Sequence, residues 1–182
     1  MRSSDSPRVL DRPRPDDPGL LTRARTAAES VTDPELPMLS LADLGVLRDV
    51  RLEEGHVVVT ITPTYTGCPA METMRADLLL ALRRAGCADA QVRTSLAPAW
   101  SSDDITDRGR WLLAEHGIAP PAPAARRTGP VPLTLGRATA AVPCPRCGAE
   151  QTRELSHFGS TACKALRTCP ACGETFDHVK EH

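Results

Sequence analysis

Four of the seven cysteines in this chain repeat one unit, Cys144-Pro-Arg-Cys147-Gly148 and Cys169-Pro-Ala-Cys172-Gly173, with 21 residues between Cys147 and Cys169. Each turn offers two thiolates to one metal ion, and its glycine permits the positive φ with which such knuckles close. Four sulfurs complete a tetrahedron around zinc at a Zn–S distance of about 2.3 Å. With every position filled by protein and a redox-inert metal, such a centre is structural rather than catalytic. Residues 143–182 hold no Trp or Tyr and only Phe158 and Phe176. So small a core does not fold unaided, and metal binding would supply the missing free energy.

The remaining thiols are more ambiguous. Cys68 stands at Thr66-Gly67-Cys68-Pro69, between a strand signal and a helix signal. With Pro69 at the first helical position, Cys68 is expected at the N-cap, where free amides and the positive helix end lower a thiol pKa. That setting suits a reactive thiolate or a soft-metal ligand; a buried small hydrophobe fits the local sequence equally well. Cys163 lies in the spacer, in HFGSTACKALRTC, and reads either as hairpin filling or as a partner-surface residue or transient ligand. Cys87, just past Gly86, is expected to be structural, and His157 to be an ordinary loop residue. Asp33-Pro34-Glu35 and Asp43-Leu44-Gly45 read locally as turns and caps. There is no Ser/His/Asp set, HExxH or phosphate-cradling glycine loop, so nothing resembles a catalytic apparatus.

The elements that must hold these residues follow from pattern. Residues 1–18 carry four prolines and little apolar surface, which predicts a disordered tail. LLTRARTAAESV predicts a helix from Gly19 to near Thr32, ended by Pro34. VLRDVRL (46–52) and HVVVTIT (56–62) read as a hairpin joined by Glu53, Glu54 and Gly55. A helix then runs from Pro69 to just before Gly86, with Met71, Met74, Leu78, Ala81, Leu82 and Ala85 on one face. QVRTSLAP predicts a third strand alternating Val92, Thr94 and Leu96, and residues 103–116 a further helix capped by Asp103 or Asp104. Prolines recur between Ala119 and Pro143, the mark of a semi-rigid linker. The expectation is an α/β (α+β) chain: a tail (1–18), an α-β-β-α-β domain (19–119), a Pro-rich linker (120–142) and a β-hairpin zinc ribbon (143–182).

Composition narrows the function classes. The chain is 41% hydrophobic, 25% charged and 3% aromatic, with a formal net charge of −1. In the ribbon, Arg146, Arg153, Lys164, Arg167 and Lys180 balance Glu150, Glu154, Glu174, Asp177 and Glu181, and a zinc ion held by four thiolates adds about −2. Such a surface does not grip a phosphate backbone, so the ribbon is expected to dock on protein and to leave nucleic acid alone. No apolar run approaches the roughly 18 residues of a membrane span, and the charged, proline-rich start lacks a secretory core. The expectation is a cytoplasmic protein with reduced cysteines.

Three stretches, VTDPELPMLSLADLGVLRDV, TPTYTGCPAMETM and PAWSSDDITDRGRWLLAEHGIAPP, together resemble the MIP18 family of iron–sulfur assembly factors (DUF59). The likeness covers roughly residues 20–121 of the sequence. With CPRCG and SHFGSTACKALRTCPACGETFDHVKEH added, the chain resembles the accessory D components of phenylacetyl-CoA epoxidase, a ring-hydroxylating monooxygenase system of phenylacetate degradation. The resemblance implies a small α/β fold with the family's cysteine position at Cys68 and with Asp33, Glu35 and Thr64 in the matching motifs near it. It also implies maturation of metal centres rather than turnover, with the epoxidase components as partners. Of these, the reductase with its iron–sulfur cluster comes first. One cysteine cannot hold a cluster, which commonly takes four thiolates. Transient carriage would need a second subunit, a small thiol or Cys163, and a homodimer is compatible with the family. Two other classes stay open: a rubredoxin-like electron-transfer module with iron on Cys144, Cys147, Cys169 and Cys172, disfavoured by the missing aromatic core, and a zinc-ribbon nucleic-acid accessory, disfavoured by charge.

Overall fold

A computed structural model describes residues 19–65, 67–122 and 141–181. The expected tail and most of the expected linker lie outside the described residues. The architecture is mixed α/β, with two three-stranded sheets.

Helix α1 (Leu20–Glu29) buries Leu20, Ala24 and Ala28, one residue per turn, and the alanines let its backbone approach the sheet. It stops three residues short of the expected Thr32. The Ser30 hydroxyl turns back to the Ala27 carbonyl, which competes with helix continuation. Thr32 then pairs with Ser40 in an isolated bridge.

Strands β1 (Leu47–Glu53) and β2 (His56–Ile61) form the expected antiparallel hairpin. Its two-residue turn is Glu54-Gly55, both with positive φ, the geometry that matches strand twist. Helix α2 (Met71–Arg84) crosses over to β3 (Gln91–Thr94), which lies parallel to β2. β2 is thus central, and Val57, Val58, Val59 and Ile61 are all buried, as a continuous apolar run predicts. Met74, Leu78 and Leu82 of α2 seal one face, with Met71, Ala81 and Ala85 packed at its margin.

Two expectations fail after this point. β3 ends at Thr94, because the Ser95 hydroxyl bonds the Ala97 carbonyl, and Leu96 is 67% exposed rather than on an inward face. The expected helix at 103–116 is broken in two. Ser101 caps a short 3-10 turn (Ser102–Asp104) in a capping box with Asp104. Thr106 then caps α3 (Asp107–Glu115), accepting from the Gly109 amide. Neither Asp103 nor Asp104 caps the α-helix, since burial of Ile105 interrupts the turn. Asp43 ties this region down by accepting from the Ser40 hydroxyl at 2.8 Å, the Thr106 hydroxyl at 3.0 Å and Arg108.

The C-terminal sheet comprises β4 (Arg153–Ser156), β5 (Lys164–Thr168) and β6 (Thr175–Val179), all antiparallel. The expected hairpin is β4–β5, and the third strand emerges from the second knuckle. This sheet joins the first domain through Ala119. Its amide donates to the Asp177 carbonyl at 2.8 Å, and its carbonyl accepts from the Val179 amide at 3.0 Å. Val179 enters the large core, while Ala119 and Val142 pack with Cys144, Cys169 and Phe176 in a small one. No helix among the described residues is long and apolar enough to cross a membrane.

Gly45 has φ +73°, and a Cβ there would lie 2.5 Å from the Asp104 carbonyl oxygen. Gly45→Ala should therefore lower unfolding free energy by about 2 kcal/mol or more, from strained backbone and steric overlap, as read by urea denaturation. A second test concerns His178 on β6, whose Nε2 is buried without a hydrogen-bond partner among the described residues. Burial, helped by Arg167 and opposed by Glu154, pushes its imidazole from 6.5 down to about 4. The unfolded chain then binds the extra proton between those values, so stability falls as pH drops through that window. Between pH 7 and 4, wild type should lose up to about 3 kcal/mol more than His178→Phe; parallel slopes in denaturant titrations would refute this.

Candidate functional site

The two knuckles face each other across the short end of the ribbon. The Gly148 amide bonds the Cys144 carbonyl at 2.9 Å, and the Gly173 amide bonds the Cys169 carbonyl at 2.8 Å. Both glycines have positive φ. The four sulfurs lie within 4.8 Å of one another, with Cys144–Cys172 at 3.8 Å and Cys147–Cys169 at 3.6 Å. A tetrahedron with bonds of about 2.3 Å has edges of about 3.8 Å, so the donor set fits zinc. Cys144 and Cys169 are buried, and Cys147 and Cys172 face outward, near the Arg146–Glu174 ion pair.

Bare sulfurs this close cannot all ionise. At Cys169 burial opposes ionisation, but the amides of Cys172 and Ala171 outweigh it and bring the thiol down to about 7. Cys172, although favoured by the Glu174 amide, is pushed up to about 12 by burial and the neighbouring sulfurs. A divalent cation removes that conflict.

A second cluster forms where the ribbon meets the first domain. Antiparallel pairing sets Leu47, at the start of β1, against Ile61, at the end of β2. The segments before β1 and after β2 are therefore brought to one end of the sheet. The first carries Asp33 and Glu35, the second Thr64, Tyr65 and Cys68. Asp33 is 6% exposed, and its Oδ1 accepts the amides of Glu35 and Leu36, both at 2.8 Å. The turn reading of Asp33 thus holds. Burial nonetheless raises its carboxyl pKa, against those two amides; Glu35 raises it further and Lys164 lowers it. Thr64 is half-buried.

Cys68 departs from expectation in two ways. It is not the N-cap: Ala70 holds that position and α2 starts at Met71. Ala70 is itself buried, so Pro69 and Ala70 form a turn that separates the thiol from the helix end. Nor is its pKa lowered. Burial pushes it up, opposed by the Ala70 amide and reinforced by Glu35, Asp33 and Cys163. With one amide against three acidic groups, the thiol stays protonated at neutral pH.

Cys163, left open by the sequence, comes from the ribbon to this place. Its Sγ lies 3.8 Å from Glu35 Oε2 and 3.1 Å from the Thr161 hydroxyl. Burial raises this thiol too, with Thr161 opposing and Glu35 adding to the shift. Two further groups carry no motif of their own. Tyr65 is pushed up by burial and by the charges of Cys68, Glu35 and Cys163. Lys164 is buried, 3.6 Å from Asp177 Oδ2, and its charge favours the Asp33 carboxylate. In the sequence Lys164 stood out only as a ribbon cation beside Cys163, within the stretch that carries the family resemblance. Among the described residues, the four-cysteine set is the one group of three or more His, Cys, Asp or Glu residues placed to hold a metal ion. The second cluster is a neighbourhood of donors and not a closed coordination sphere. Cys87 is buried in the large core, and His157 is exposed beside Phe158.

Because the ribbon's small core rests on the four sulfurs, Cys169→Ser should abolish stoichiometric zinc and amide protection in β4–β6 while leaving β1–β3 protected. Metal analysis with hydrogen exchange checks this; a protected ribbon without metal would contradict it.

Comparison with known proteins identifies both modules. A family model described as an iron–sulfur cluster assembly protein matches residues 22–93, and one described as the PaaD zinc beta ribbon domain matches residues 128–180. The chain is 42% identical over 151 residues to a protein of Escherichia coli (strain K12) named as the D component of 1,2-phenylacetyl-CoA epoxidase. The match covers 82% of this chain and 86% of that protein. Among solved structures, a DUF59 domain from Bacillus anthracis is 26% identical, covering 52% of this chain and 92% of its own, with TM-score 0.48. A Mycobacterium tuberculosis protein associated with Fe-S complex assembly and repair is 31% identical, covering 53% and 84%, with TM-score 0.31. Since the likeness to the Escherichia coli protein spans most of both chains and the two modules stand in the family's order, the chain belongs to the PaaD family, the D components of phenylacetyl-CoA epoxidase.

Proposed function

We propose that this protein is a non-catalytic accessory factor that handles iron or an iron–sulfur cluster during maturation of the phenylacetyl-CoA epoxidase components, the reductase first. The observation that carries the reading is the meeting of Cys163 with Glu35 at 3.8 Å across 128 residues of chain. It adds a ribbon thiol to a neighbourhood that already holds Cys68 and Asp33. Two thiols and two carboxylates are a donor set for iron, and the cargo is a substrate here, distinct from the resident zinc.

The electrostatics suit delivery better than storage. Burial and mutual repulsion hold both thiols protonated when the neighbourhood is empty. An incoming cation would displace those protons. On departure the thiols recover them, so release leaves no stranded buried charge. Two thiols fall short of the four a cluster commonly takes, and the client, a small thiol or a second copy would supply the remainder. The residues that would carry this role are Cys68, Cys163, Asp33 and Glu35, with Thr64 adjoining them. The zinc-ribbon match supports zinc over iron in the four-cysteine site, against an electron-transfer module. The balanced charge of the ribbon speaks against a nucleic-acid accessory.

The test is zinc, iron and acid-labile sulfide on anaerobically purified wild type and Cys68→Ala, together with the cluster content of reductase matured alongside each. Zinc near one per chain is expected in both, with reductase cluster occupancy several-fold lower beside Cys68→Ala. Fully loaded reductase beside that variant would refute the role of Cys68. A red chain that bleaches on reduction would restore the electron-transfer reading.

A further inference from the structure

The cargo neighbourhood is split between two bodies, each of whose cores takes one residue from across the seam, Val179 and Ala119. Asp33, Glu35 and Cys68 come from the first domain, whose large core is drawn from residues 20–113 apart from Val179. Cys163 and Lys164 come from a ribbon whose own small core is built around two of its metal-ligating sulfurs. Among the described residues, what joins them is narrow: the two backbone bonds of Ala119 to β6 and its packing in the small core, the Val179 side chain, the Cys163–Glu35 contact and the attraction between Lys164 and Asp33. Two of the groups that meet across the seam, Asp33 and Lys164, are charged and buried. An interface of this size and polarity separates more readily than an apolar core.

We infer that the ribbon is a removable wall of the cargo site, held by the Ala119–β6 bridge, and that its undocking exposes Cys68 while the first domain stays folded. The inference rests on the cargo reading only for its purpose; the motion is a separate claim. Docked, the ribbon lays Cys163 and Lys164 against the Asp33–Glu35 turn. Undocked, it takes both away, leaving Cys68 facing the solution from which a client reaches it. Zinc is then a structural condition for closing the site, because only a folded ribbon presents β6 to Ala119.

The chain carries its own control. Cys87 is 3% exposed in the large core, so it reacts only if the first domain itself opens. The experiment is iodoacetamide labelling of the full chain at fixed pH, with Cys68 and Cys87 followed by peptide mass spectrometry. Three samples are compared: zinc-loaded wild type, zinc-loaded Ala119→Pro, which lacks the donor to Asp177, and wild type stripped of zinc by a chelator. Cys68 should react about tenfold faster in the second and third samples than in the first, as expected of a local opening, with Cys87 silent throughout. A Cys68 rate unchanged on zinc removal, or one that rises only together with Cys87, overturns the inference. Should Ala119→Pro fail to fold, the stripped wild type decides alone. Failure here leaves the metal and sulfide content of the chain untouched, so it is distinguishable from failure of the cargo reading.

Discussion

Four sulfur atoms held within 4.8 Å of one another set the terms for the C-terminal part of this molecule. Around them stand only Ala119, Val142 and Phe176 as further buried core residues of the described ribbon cluster, too little apolar surface to offset chain entropy without metal. Everything the ribbon contributes elsewhere therefore depends on that tetrahedron. β5 and β6 are stiff enough to carry Cys163, Lys164 and Val179 to the first domain because the knuckle at Cys169–Cys172 fixes where one strand ends and the next begins.

The first domain does its positioning by topology. A hairpin with a two-residue turn forces the chain before β1 and the chain after β2 to the same end of the sheet, and the β2-α2-β3 crossover makes β2 central and rigid. Asp33 and Cys68 are thus near one another for reasons unrelated to their chemistry. The Asp43 network and the close approach of Gly45 to Asp104 do comparable work for α3, whose far end leads to Ala119 and the ribbon. That short segment is where the first domain pairs with β6.

Charge balance gives the meeting place its character. Among the described residues acidic groups outnumber cations there: Asp33, Glu35, Cys68, Cys163 and Tyr65 share the neighbourhood with one buried lysine, Lys164, which also pairs with Asp177. Burial raises the pKa of Asp33, Tyr65, Cys68 and Cys163, and the Glu35 charge adds to each of those shifts. A cation arriving there would meet carboxylates and thiols together and would displace the thiol protons. The meeting place contrasts with the four-cysteine site, where crowded thiols with amide support fit a structural zinc.

The grouping of the four ribbon cysteines was legible in the sequence because a CPxCG turn is a local object; its spacing alone puts two sulfurs side by side. The β1–β2 hairpin was legible for the same reason, as was the buried face of α2, where periodicity states what is hidden. The break at Ser101–Thr106 was not, since two Asp residues and two hydroxyls compete for the same caps and only the burial of Ile105 settles the contest. Cys68 shows the limit most clearly: its neighbours in sequence predict a thiolate, and its neighbours in space impose a protonated thiol. The Cys163–Glu35 contact and the buried Lys164 belong wholly to tertiary structure. Through-space charge and desolvation depend on which surfaces meet, and no local pattern records that two modules, each self-sufficient in sequence, pack with their acidic and thiol groups together.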